Sequence, residues 1–226
     1  MRILKRVRAV SPLLLLVALP QAAAAVSAAG LPETIGSARV AAVIQPPQTK
    51  FSADLPKHVF AAVLSPLFGA AIAGAKTGEE MVKKFSISDP ALHLRDAFLQ
   101  GLAEKYKWNV EMAAETPGED ARDLKKKFSE GFVFDFKTVV WDLTVFVGDH
   151  DHYRVEYWGK VRLIRLDDGK ILFKETCKFM GRDPKGSRPT LEEMVKDDGT
   201  LLKAKLDEAA DHCAAELKQR FDPAAK

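Results

Sequence analysis

The sequence predicts an α+β fold: a mixed, largely antiparallel sheet that ends in a three-stranded meander, with helices packed mainly on one face. Three observations carry this prediction. Residues 131–178 alternate apolar and polar at strand period. Residues 90–106 and 200–221 repeat their apolar side chains at helical spacing. Asp168-Gly169 places a tight turn between two strand-like runs.

The chain opens on an export pattern. Arg2, Lys5, Arg6 and Arg8 precede a short apolar core from Leu13 to Leu19, which Pro20 closes. Small residues from Ala22 to Ala29 follow and offer Ala-x-Ala-like frames. This order of parts reads as a signal peptide over residues 1–28, and the apolar run is too short for a membrane span. Residues 29–226 are then one α+β domain of ordinary size. Four of the positive charges lie in the leader. The formal net charge of +3 therefore becomes about −1 for the remainder, which excludes nucleic acid as an expected partner.

Arg39 to Gln45 is an apolar run stopped by Pro46 and Pro47, read as a first, central strand. Residues 57–76 form an apolar Ala/Gly-rich insertion. Its uncharged part, residues 59–75, contains Pro66, Gly69 and Gly74. Buried broken helix and contact surface both remain open for it. Phe60, Leu64, Leu67, Phe68 and Ile72 are the residues that would touch a membrane or a partner. Ser88-Asp89-Pro90 starts a helix expected to run to about Tyr106, with Leu92, Leu94, Phe98, Leu99, Leu102 and Ala103 on its apolar side. Trp108 to Met112 follows as a short strand, and the charged stretch to Lys127 as a loop or a solvated helical turn.

In the meander, Phe132, Phe134 and Phe136 are apolar at even positions, whereas Val139, Trp141, Leu143, Val145 and Val147 are apolar at odd ones. Such a phase switch predicts a bulge near Thr138. The next strand sets Tyr153, Val155, Tyr157, Val161 and Leu163 against Arg154, Glu156, Lys160 and Arg162. The last strand runs from Ile171 to Lys178. Thr190 and Glu193 make a capping box, Asp198-Gly199 interrupts the helix it opens, and a terminal helix follows to about Phe221.

Cys177 and Cys213 are the two cysteines, and an even pair in an exported chain predicts a disulfide. The entropy of loop closure would make it worth about 3.5–4 kcal/mol. For chemistry the sequence offers little. Asp149-His150-Asp151-His152 has metal-ligand residue types, with His150 and His152 as the candidate ligands in an expected hairpin loop, yet no third ligand is identifiable. No nucleophile elbow or Gly-rich phosphate loop occurs. The expectation is therefore no catalytic residue and no cofactor. Trp158 falls on the charged side of its strand, where it would serve as a contact residue, or else lie partly under the loop from Gly181 to Pro189.

The stretches F-D-F-K-T-V-V-W-D-L and Y-R-V-E-Y-W-G-K-V-R-L-I-R-L-D-D-G-K-I-L, with the later Cys, resemble uncharacterised exported or lipid-anchored bacterial proteins. The order of elements from Arg39 to Phe221 is similar to small envelope modules: the amino-terminal domain of TolB, LpoB-type activators of peptidoglycan synthases, and CsgG-like secretion lipoproteins. The resemblance implies a non-catalytic, periplasmic interaction or assembly factor whose partners are other envelope proteins. The chain departs from the lipoprotein members in having no Cys at the cleavage region. Two alternatives stand beside this expectation: a membrane-associated or self-associating protein using residues 59–75, and a metal or small-ligand binder using His150 and His152.

Overall fold

The computed structural model describes residues 30–55, 76–113 and 118–223. The leader over residues 1–28 lies outside these, as do residues 59–75 with Phe60, Leu64, Leu67, Phe68 and Ile72.

Strand β1 (Val40–Gln45) is central, as its apolar run predicts, and five of its six residues are buried. β3 (Val110–Met112) and β4 (Phe132–Phe146) flank it, both parallel. β5 (Asp149–Arg165) and β6 (Ile171–Met180) follow antiparallel, giving the order β3-β1-β4-β5-β6. A two-residue strand, β2 (Ser52–Ala53), pairs parallel with the far part of β4. Parallel pairing follows where the chain crosses over between strands, and antiparallel pairing where turns are short. Gly169 adopts φ +69° in the β5–β6 turn, a conformation glycine enters freely.

The bulge falls between Thr138 and Val140. Phe134, Phe136 and Thr138 are buried before it, and Trp141 and Leu143 after it, so one extra residue keeps both halves of β4 facing the same core. Val147, assigned to the core stripe by its parity, is instead 93% exposed, because β4 ends at Phe146 and Val147 is already in the turn.

Two helices cover the inner face: α3 (Pro90–Leu99) and α6 (Leu191–Phe221). Asp89 caps α3 by accepting from the Ala91 amide at 2.9 Å. A Cβ at Gly159 would stand 2.7 Å from Leu94 Cδ2, so glycine at this point of β5 lets α3 lie close on the sheet. The single helix expected over 90–106 is two: α3 stops at Leu99, Gly101 turns at φ +79°, and α4 (Leu102–Tyr106) restarts. Tertiary contacts decide this. Tyr106 stacks on Trp108 at 5.3 Å and donates to Asp222 at 2.6 Å. Leu92, expected in the apolar stripe, is 41% exposed, whereas Leu94, Phe98, Leu99 and Leu102 are buried.

The capping box of Thr190 and Glu193 is formed, and α6 is broken by non-helical backbone over 196–199. Beyond the break, Leu202, Leu206, Ala209, Cys213 and Leu217 are buried at helical spacing. Cys177 and Cys213 are joined (S–S 2.11 Å, Cα–Cα 5.3 Å), which ties α6 to β6. At the core centre Phe98 meets Phe134, Phe136 and Phe221 edge-on at 5.6–5.8 Å.

Three elements leave no clear mark in the sequence pattern: β2, α1 (Leu31–Ile35) and α2 (Lys76–Lys84). The charged stretch before β4 contains a real helix, α5 (Ala121–Phe128), which lies on the opposite, outer face. Its Leu124 and Phe128 join Ala41, Val43, Val133 and Ile164 in a second small core. Among the described residues, no helix is long and apolar enough to cross a membrane.

Candidate functional site

The outer face of the meander carries the densest arrangement of functional side chains. Strand register fixes it in rows across β4, β5 and β6. Asp135, Arg162 and Lys174 form one row; Lys137, Lys160 and Thr176 the next; Val140, Trp158 and Lys178 the third. Side chains opposite one another in antiparallel strands share a face. Two pairs of cations therefore sit directly beside one another, at Lys137–Lys160 and Arg162–Lys174. Beyond the third row, Asp142 and Glu156 return the charge to negative.

One end of this face is neutralised from within. Asp135 is buried and ion-paired with Arg162. Gln45 Nε2 donates to Asp135 at 3.2 Å and to the Gly118 carbonyl at 3.0 Å. Burial pushes the Asp135 carboxyl above its usual range, with the Arg162 charge pulling it back. Arg162 also donates to the Glu119 carbonyl at 3.2 Å, and Lys137 pairs with the Glu119 carboxylate. That pairing holds Glu119 below the ordinary carboxylate range. This network fastens the segment leading into α5 to the sheet.

The other cations of the grid are less compensated. Lys160 is half-buried, and its ammonium is pushed below the usual lysine range, first by desolvation and then by Arg162 and Lys174. Lys174 and Lys178 are exposed on the edge strand. Lys178 Nζ lies 3.9 Å from the Trp158 ring centroid, and the Trp158 indole donates to Glu156 at 2.9 Å. Trp158 is therefore half-buried beneath Lys178, on the charged face where the alternation of β5 puts it. An anion approaching this face would relieve the repulsion that Arg162 and Lys174 exert on Lys160. The arrangement can bind and orient a negatively charged group.

The two histidines lie elsewhere. The hairpin turn is Val147–Gly148, so His150 and His152 stand on β5 itself, in a strand and not in the expected loop. The β4–β5 pairing jumps from Val145–Tyr153 to Phe146–Asp149, so both histidines lie in an irregular stretch of β5 without a β4 partner, and His152 makes an isolated bridge to Thr190. His152 Nδ1 meets Asp149 Oδ1 at 2.7 Å, and Asp149 also takes Arg188 at 3.1 Å. The hydrogen bond from His152 holds Asp149 below its ordinary range. His150 is exposed. Among the described residues, neither histidine joins a group of three ligand-type side chains; the group that does form is Cys177, His212 and Glu216.

Sequence reasoning missed Asp135 and the polar cluster under the bulge. Asp135 shares its strand parity with Val133, not with the phenylalanines, which was the available signal for the outer face. Under the bulge, Thr138 donates to Asp89 from the core side. Burial raises the Asp89 carboxyl, against the Thr138 and Ala91 hydrogen bonds, and it also raises the Tyr157 hydroxyl nearby.

No family model and no curated protein matches the chain. Solved structures of similar shape include the PelC dodecamer from Paraburkholderia phytofirmans, at 13% identity and TM-score 0.34, covering 82% of this chain and 89% of that one. A lipoprotein from Neisseria meningitidis is 13% identical at TM-score 0.28, with 76% and 99% covered. The LpoB C-terminal domain from Salmonella enterica is 7% identical at TM-score 0.24, with 63% and 84% covered. A lipoprotein and an LpoB domain thus stand among the structural neighbours, without a family at the level of sequence. At these scores the likeness carries nothing about function.

Proposed function

We propose that this chain is an exported, non-catalytic cell-envelope protein that acts by binding, as an interaction or assembly factor, and that it takes an anionic partner on the outer face of the meander. One observation carries the reading: Lys160, Lys174 and Lys178 are gathered beside Trp158 on one sheet face, with Lys160 in direct register with Lys137 and Lys174 with Arg162. Such an arrangement lowers fold stability unless something of opposite charge completes it. The export pattern of residues 1–28 and the Cys177–Cys213 disulfide support an oxidising address.

The test is crosslinking and pull-down from cells, repeated with the triple variant Lys160→Gln/Lys174→Gln/Lys178→Gln. A defined envelope partner is expected, with capture reduced at least tenfold in the variant and by added salt. Protein that stays monodisperse and unpartnered overturns the reading, and so does capture indifferent to the three lysines.

A further inference from the structure

We propose that the Cys177–Cys213 disulfide masks a second site, which on reduction becomes a zinc-type metal centre formed by Cys177, Cys213, His212 and Glu216. The inference is independent of the lysine face. It rests on three side chains already gathered, Cys177, His212 and Glu216, and on Cys213, which is bonded to Cys177. Cys177 comes from β6, and His212, Cys213 and Glu216 come from one stretch of α6. His212 and Glu216 are one helical turn apart and project from the same flank. Their ligand atoms and the Cys177 sulfur all lie within 4.8 Å of one another. Glu216 Oε2 is 3.5 Å from Cys177 Sγ and 3.7 Å from His212 Nε2.

The orientation of Glu216 favours a ligand role. Arg220 holds its Oε1, so Oε2 is left directed at the sulfur and the imidazole. Arg220 is itself held by Glu175 at 2.9 Å. This is the outer support that fixes a ligating carboxylate as a single-oxygen donor. The sulfurs are buried, whereas the His212 side chain is 54% exposed, so the cluster has a dry inner side and an outer side open to solvent.

The set of two thiolates, one imidazole and one carboxylate suits tetrahedral Zn²⁺. With Zn–S of about 2.3 Å, two sulfurs on one tetrahedral ion stand roughly 3.7 Å apart. From the bonded separation, rotation about the two Cα–Cβ bonds supplies that parting across a Cα–Cα distance of 5.3 Å. The redox step balances with a dithiol as reductant. The disulfide accepts two electrons and two protons, Cys177 and Cys213 become thiols, and the dithiol leaves as its own disulfide. Zn²⁺ then displaces both thiol protons to solvent.

Equilibrium dialysis against zinc, with elemental analysis of the oxidised protein and of protein reduced by dithiothreitol and desalted under anaerobic conditions, tests this. One zinc per chain is expected in the reduced protein and none in the oxidised one. Cobalt(II) in place of zinc is expected to give thiolate charge-transfer and tetrahedral bands in the reduced form alone. His212→Ala and Glu216→Gln should each weaken zinc binding at least tenfold. Both positions reach solvent, so disulfide formation and circular dichroism of the oxidised variants provide the folding control. Three results overturn the proposal: reduced protein that binds no zinc, reduced protein whose affinity ignores both substitutions, and zinc that fails to hold the reduced chain at native helix content.

Discussion

The same two strands, β4 and β5, present opposite chemistries on their two faces. Inward, Phe134, Phe136, Tyr157, Val161 and Leu163 are buried beneath α3 and α6. Outward, Lys137, Lys160, Arg162 and Trp158 stand in register, and α5 covers one end of that face. The inner face is a packing problem solved by shape, in which the Phe98 ring meets three other rings edge-on. The outer face is an electrostatic one, in which one buried ion pair is completed and the neighbouring lysines are left facing like charge. Stability should therefore concentrate inside, and recognition outside.

Phe98→Ala probes that division most forcefully. Removing the ring at the centre of the aromatic cluster should cost about 3–5 kcal/mol, read by urea denaturation. A loss below about 1 kcal/mol would mean that the inner face does not dominate stability. Next comes the exception on the outer side. Asp135→Ala leaves Arg162 without its buried partner and should cost about 3 kcal/mol. Asp135→Leu combined with Arg162→Met should recover most of that loss, since the charges are then removed together. If the single and double variants are equally unstable, the ion pair is not what fastens this end of the sheet.

A smaller effect comes from Asp89, under the bulge on the inner side. Its folded-state pKa is raised, so the folded chain holds this proton more tightly than the unfolded one does. The stabilising contribution is full below the unfolded value near 3.8 and is lost as pH rises through the folded one. Asp89→Asn keeps a capping oxygen and removes the titration. The stability of the variant relative to wild type should grow as pH is raised from 3.8 and then level off. A difference that is flat with pH would show that the carboxyl does not titrate differently on folding.

Several features are legible in the amino-acid sequence itself, and each is local. The parity switch from Phe136 to Trp141 locates the bulge, Asp168-Gly169 locates the turn, and Asp89-Pro90 and Thr190/Glu193 locate two helix starts. Backbone geometry, caps and alternation act over a few residues, so the residues themselves carry the information. What escapes depends on partners far along the chain. The helix over 90–106 breaks at Gly101 because α4 turns Tyr106 toward Trp108 and Asp222. A charged stretch becomes α5 because Leu124 and Phe128 find a second apolar patch on β1 and β4.

The candidate sites divide in the same way. Sequence alone determined that Trp158, Lys160 and Arg162 share a face, because strand side chains alternate. It also set His212 and Glu216 one turn apart on a helix. Only the tertiary structure decided that Arg162 meets Asp135 across 27 residues, that Lys174 and Lys178 line up beside Lys160 and Trp158, and that Glu216 reaches Cys177 across 39. The physical reason is register: the pairing of β4, β5 and β6, and the seating of α6 on β6, are set by burial of the whole inner face, which no short stretch of the chain contains.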